Sequence, residues 1–207
     1  MRRSPATLFA AAAAAAIALA GCSSSSSTPA APTTGTETLN AVVTGSAAAA
    51  SLNSTNPNAP LDFPEATWTG PIATTLKPFA LGSGNAGYVH WATPAGTTTV
   101  YHAPAKGFTN ENAPPPVAWT KTGTDCAFSG PASKGSFTYV PSKSTGEFAR
   151  LSGSGTYLLT VQGTAPLKSG DASKACSFAT IGPVKDDGAK FDFTATAPVT
   201  LKPATSS

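Results

Sequence analysis

Short β-like runs of apolar and Thr residues recur along the chain between turn signals, and in some of them apolar and polar positions alternate. The clearest lies within Lys190–Leu201, where Phe191, Phe193 and Ala195 alternate with Asp192 and Thr194, the two-residue period of a strand with one buried face. Comparable runs span Leu39–Thr44, Ala66–Thr69, Ile72–Leu81, Gly87–Trp91, Thr97–His102 and Val117–Thr120. Further runs follow at Cys126–Phe128, Ser136–Val140, Thr156–Gln162 and Ala175–Thr180. Gly45–Leu52, with its alanines, is the one stretch suited to a short helix, and the prolines of Pro57–Pro60 and Pro114–Pro116 mark loops because proline donates nothing to a ladder. The pattern predicts an all-β domain, a single antiparallel β-barrel or β-sandwich of about 8–11 short strands.

The start of the chain has a different pattern. Arg2-Arg3 precede 13 apolar residues, Leu8 to Ala20, fewer than the roughly 20 needed for a permanent membrane span. Leu19-Ala20-Gly21-Cys22 then matches a bacterial lipobox, in which the Cys22 thiol accepts diacylglycerol before cleavage. The alternative is an ordinary secretory signal cut after Ala18-Leu19-Ala20. On the lipobox reading residues 1–21 are a signal peptide, residues 22–38 are the lipidated cysteine and a flexible Ser/Thr/Pro linker, 39–203 form the β domain and 204–207 a tail. Each buried methylene of an acyl chain contributes about 0.8 kcal/mol, so two chains suffice to hold a protein on a membrane. The expected location is the extracytoplasmic face of the cell membrane.

Charge narrows the function. Of the 13 basic residues, setting Arg2 and Arg3 aside leaves 11 against 10 acidic, and the lysines are scattered from Lys77 to Lys202. Without a clustered basic face, nucleic acid is not an expected partner. Only 11% of residues are charged, so the surface is polar through Thr, Ser and Gly rather than ionic.

Candidate chemistry is sparse. Gly82-Ser-Gly-Asn-Ala-Gly87 spells a dinucleotide-binding G-x-G-x-x-G, but Tyr88-Val-His-Trp91 after it reads as a strand rather than a helix, so no cofactor is expected. His90 and His102 flank the turn Thr93-Pro-Ala-Gly-Thr97; a three-residue loop would put both imidazoles on one face and a two-residue loop would put them on opposite faces. The three-residue loop is the expectation, yet two histidines lack the third ligand of a catalytic zinc, so they are weak metal candidates. There is no G-x-S-x-G, and Asp186-Asp187-Gly188 has the form of a turn rather than a calcium loop. Trp68, Trp91 and Trp119, with Tyr88, Tyr101 and Phe108, could line an apolar or carbohydrate site or fill the core. With Cys22 lipidated, Cys126 and Cys176 remain, each in a Cys-x-Phe that puts thiol and ring on one face of a strand; a disulfide between them is expected in an oxidising compartment.

Several words, Thr36-Glu-Thr38, Thr93-Pro-Ala-Gly96, Ser142-Lys-Ser-Thr-Gly-Glu-Phe-Ala149, Leu151-Ser-Gly-Ser-Gly155 and Ala197-Pro-Val-Thr-Leu-Lys202, resemble a group of uncharacterised actinobacterial secreted proteins and lipoproteins. That resemblance implies export and brings no activity or catalytic residues. Gly146–Gly155 is also similar to the small-residue hairpins of allene oxide cyclase and dirigent-like barrels, which favours a barrel over a sandwich. The expectation is a non-enzymatic, envelope-anchored lipoprotein that binds an envelope protein or has a structural role. The alternative is a barrel that holds a small apolar ligand.

Overall fold

A computed structural model describes residues 30–56, 59–82, 86–106, 116–170 and 172–204. The strands are β1 (Thr33–Thr44), β2 (Leu61–Phe63), β3 (Ala66–Thr69), β4 (Thr74–Leu76), β5 (Phe79–Leu81) and β6 (Gly87–Thr93). After these come β7 (Gly96–Pro104), β8 (Ala118–Thr122), β9 (Asp125–Tyr139), β10 (Leu151–Pro166) and β11 (Lys190–Leu201). Helix α1 occupies Gly45–Leu52, and two 3-10 turns, Pro141–Lys143 and Gly146–Arg150, join β9 to β10. Among the described residues no helix is long and apolar enough to cross a membrane.

The main sheet runs β4-β3-β1-β11-β10-β9-β7-β6, with β8 added along β9, and every pairing is antiparallel. Its first and last strands, β4 and β6, come side by side, so the sheet is a nearly closed barrel. The all-β expectation is met, and of its two forms the molecule takes the barrel. A separate pair, β2 and β5, brings Phe63 opposite Phe79.

The inward face follows the alternation. Leu39, Ala41 and Val43 of β1 oppose Ala195, Phe193 and Phe191 of β11, and all six are buried. The same parity runs back through Glu37, so β1 starts at Thr33, inside the stretch read from sequence as linker. Val161 and Ala165 of β10 also face in. Helix α1 turns Ala48 and Ala49 inward, and its C-terminal Asn53 side chain both accepts from the Val184 N–H and donates to the Val184 carbonyl.

Several expected elements differ. The run Ile72–Leu81 is split into β4 and β5, with a cis Lys77–Pro78 peptide between them. Cys126–Phe128 and Ser136–Val140 merge into β9, which accommodates Pro131 through a bulge: Ser133 opposes Leu159 and Pro131 opposes Thr160, leaving Ala132 extra. Ala175–Thr180 is not a strand. There the Thr180 hydroxyl accepts from the Ser177 N–H and donates to the Ala175 carbonyl, local bonds that replace a ladder. Asp186-Asp187-Gly188 is a turn, as its composition indicates. Cys22, Phe108, Pro57, Pro114 and the centre of the glycine-rich word, Ser83–Asn85, lie outside the described residues. Gly87 does open strand β6 rather than a helix.

Candidate functional site

The turn between β6 and β7 decides the histidines. Thr93 pairs with Gly96, so the loop has two residues, Pro94 and Ala95, and not the expected three. The Thr93 hydroxyl accepts from the Ala95 N–H, which holds the tight turn. One residue of register exchanges the faces of a strand, and His90 now opposes Thr99 while His102 opposes Gly87. His90 lies on the outer face beside Tyr88, whereas His102 points inward, its ring centroid 6.2 Å from that of Tyr157. The two imidazoles therefore share no face. Among the described residues no group of three His, Cys, Asp or Glu is placed to hold a metal ion.

Each histidine has its own environment. Thr99 Oγ1 donates to the Lys143 carbonyl at 2.7 Å and lies 2.8 Å from His90 Nδ1. With the hydroxyl proton so used, Nδ1 must be the donor in that contact, so this nitrogen is not a base toward Thr99. His102 is desolvated, which lowers its pKa and favours the neutral ring. Tyr157 next to it is pushed up by burial, with a Ser133 hydrogen bond pulling the other way.

Aromatic side chains occupy the barrel interior as a connected series. From Tyr157 the contacts pass to Phe193 at 6.3 Å, to Phe79 at 6.0 Å and on to Trp91 at 5.3 Å. Trp68 then joins Trp91 to Phe148, each at 6.4 Å. Phe79, Trp68 and Phe148 are fully buried, so ring atoms fill this part of the lumen. Trp68 is thus a core residue, and Trp91 packs half-buried against that core. Trp119 belongs to a second cluster with Phe128 and Phe178, beside the disulfide. That disulfide joins Cys126 and Cys176 with Cα atoms 5.7 Å apart. Cys126 sits on β9 as the Cys-x-Phe argument requires, but Cys176 reaches it from a loop.

The sequence words that suggested kinship meet at one end of the barrel. Thr36–Thr38 pair with Pro198–Thr196, Gly153 opposes Val199, and the Lys202 N–H donates to the Arg150 carbonyl. The turn at Thr93–Gly96 lies on Thr145–Glu147, where Thr145 N–H donates to the Thr97 carbonyl and Glu147 N–H to the Ala95 carbonyl. Phe148 enters the interior from this segment and closes the end.

Within this end lies a residue the sequence reading placed in the linker. Glu37 is 1% exposed, and its Oε2 accepts a 3.1 Å hydrogen bond from the Ile72 N–H. Its Oε1 is buried with no hydrogen-bond partner among the described residues. Desolvation pushes the carboxyl up to about 7, against the smaller lowering by the Ile72 N–H. Burial, assisted by the charge of Glu37, raises Tyr139 as well. The available signal was parity: Glu37 is in phase with Leu39, Ala41 and Val43.

The outer face is mostly Thr and Ser, interrupted by Val42, by Leu158 and by Tyr88 and Tyr101, the two tyrosines directly opposed with ring centroids 5.3 Å apart and 53% and 43% exposed. The Lys143 ammonium lies 4.9 Å from the Tyr88 centroid. A shallow hollow of about 300 Å³ elsewhere on this surface is lined by Thr120, Ser129, Gln162 and Thr164 among others. The site and fold together describe an antiparallel barrel with an aromatic-filled interior and a polar exterior. No family model, curated protein or solved structure matches the chain.

Proposed function

We propose that the protein is a lipid-anchored binding module of the cell envelope, non-enzymatic, with its partner surface on the outside of the barrel. The observation that carries this reading is the exposed, directly opposed Tyr88–Tyr101 pair, two aromatic rings side by side on a face rich in Thr and Ser. Tyrosine joins a large apolar ring to a hydrogen-bonding tip and loses little entropy when held, which suits it to recognition of another surface. The lumen supports the alternative, a small apolar ligand, less well, because Phe79, Trp68, Phe193 and Phe148 already occupy it. The non-enzymatic reading is supported by the separation of His90 from His102 and by the donor role of His90 toward Thr99. Anchoring rests on the Cys22 lipobox.

A photoreactive phenylalanine analogue placed at position 88 or 101 of the protein in intact cells tests the surface. The expected result is a cross-link to one envelope protein that is lost when the analogue is moved to position 156, on the exposed outer side of β10. Absence of any cross-link, together with an apolar molecule retained in native mass spectrometry, would transfer the function to the lumen.

A further inference from the structure

The closed end of the barrel holds a carboxyl group in a setting suited to its neutral form. Glu37 is buried on β1, one oxygen accepts from the Ile72 N–H, and the other has no partner among the described residues. The turn at Gly70–Ile72 lies directly on it. Gly70 has φ +133°, and a Cβ there would fall 2.3 Å from the Thr36 carbonyl oxygen and 2.9 Å from Glu37 Oε2, so backbone covers the carboxyl. Charged compensation is lacking: the cross-strand neighbour on β11 is Ala197, the turn contributes backbone, and the titratable group bearing on it from β9 is Tyr139, itself held neutral. Among the described residues no Lys, Arg or His makes an ion pair with Glu37.

We propose that Glu37 is a proton-controlled latch on the N-terminal strand: protonated, it keeps Thr33–Thr38 and the Gly70–Ile72 turn closed on the barrel, and ionised, it favours their local release. A buried carboxylate with one hydrogen bond gains solvation when its segment opens, whereas a neutral carboxyl gains little. The raised value of about 7 agrees with that direction. Linkage then fixes the window. Opening is insensitive to pH below the ordinary carboxyl value of 4.5, grows more favourable between 4.5 and about 7, and levels off above it. The segment concerned leads back toward Cys22, so release of Thr33–Glu37 would lengthen the membrane tether by roughly 3.3 Å per freed residue. That consequence rests on the proposed anchor; the latch does not.

Amide hydrogen exchange on the whole protein, normalised for the intrinsic rate at each pH, reads the latch. Protection of Thr33–Thr38 and of Ile72 should fall more than tenfold from pH 5 to pH 7 and should stay below that of Val161 and Phe193 at both, because those core amides exchange only through global unfolding. In Glu37→Gln the fall should vanish and protection at pH 7 should match the native protein at pH 5. Equal protection at the two pH values in the native protein, or an unaltered fall in Glu37→Gln, would overturn the proposal. Should that variant fail to fold, carboxyl NMR of the native protein decides: Glu37 must titrate with a midpoint well above 4.5, and a midpoint in the ordinary range refutes the latch.

Discussion

Gly96 and Gly146 lie backbone against backbone at the closed end of the barrel, each in the space a side chain on the other would take. A Cβ on Gly96 would fall 2.8 Å from Gly146 Cα, and a Cβ on Gly146 would fall 2.9 Å from Gly96 Cα. Each would also approach a carbonyl oxygen, of Thr145 or Ala95 respectively, to 2.3 Å. Both glycines have positive φ, +123° and +59°, so backbone conformation and space demand the same residue. This seam ties the β6–β7 turn to the segment that delivers Phe148 to the core.

Gly96→Ala and Gly146→Ala should therefore each destabilise strongly, by about 3 kcal/mol or more, because conformational strain and a clash with backbone add. Their effects should not sum. Once one substitution has parted the seam, the second meets open space, so the double variant should lie well short of the total. Urea unfolding of the three variants measures this, and single losses below about 1 kcal/mol would mean the seam yields easily.

The Cys126–Cys176 bond spans 50 residues and links β9 to the loop that carries Phe178 over Trp119. Loop closure of that length constrains the unfolded chain by about 4 kcal/mol in the entropy model. Replacing both cysteines by alanine should lower stability by that order, a large part of a usual total of roughly 5–15 kcal/mol. Thiol labelling of the denatured, unreduced protein should find neither cysteine free.

Strand positions were readable where alternation was clean, as at Phe191, Phe193 and Ala195, because a half-buried strand imposes its period on the sequence. The disulfide was readable from the pairing of two cysteines with neighbouring phenylalanines, although the strand assumed for Cys176 was not formed. Turn length was harder. Pro94-Ala95-Gly96 fits both a two- and a three-residue loop, and contacts with Thr145 and Gly146, about 50 positions away, select the shorter one. Glu37 reads as linker because it is the single charge in a Ser- and Thr-rich stretch; its inward placement depends on β3 and β11, whose pairing with β1 no local pattern reveals.

Anchoring admits a direct test. Cys22→Ser removes the thiol that a diacylglyceryl group requires, so the variant should take up no labelled fatty acid and should leave the membrane fraction. Retained label on that variant would place the lipid elsewhere or exclude the lipobox.

Glu37 also sets a pH dependence of overall stability, and its sign follows from the raised folded-state value. The folded carboxyl stands near 7 against an ordinary 4.5, so its contribution is fully present below 4.5 and is lost as pH rises to about 7. The loss amounts to about 3 kcal/mol, since a tenfold change in proton affinity corresponds to about 1.4 kcal/mol. The hydrogen bond from Lys77 holds the exposed Glu65 below the ordinary carboxylate range and so acts in the opposite sense, but solvent screens that pair. Comparing the native protein with Glu37→Gln cancels it, because both chains carry the Lys77–Glu65 pair. Urea midpoints at pH 7.5 should then favour the variant, and the difference should shrink steadily toward pH 4.5 as the native carboxyl regains its proton. A difference between the two proteins that does not change with pH would show that Glu37 titrates alike in the folded and unfolded chains, and that the barrel tolerates its charge.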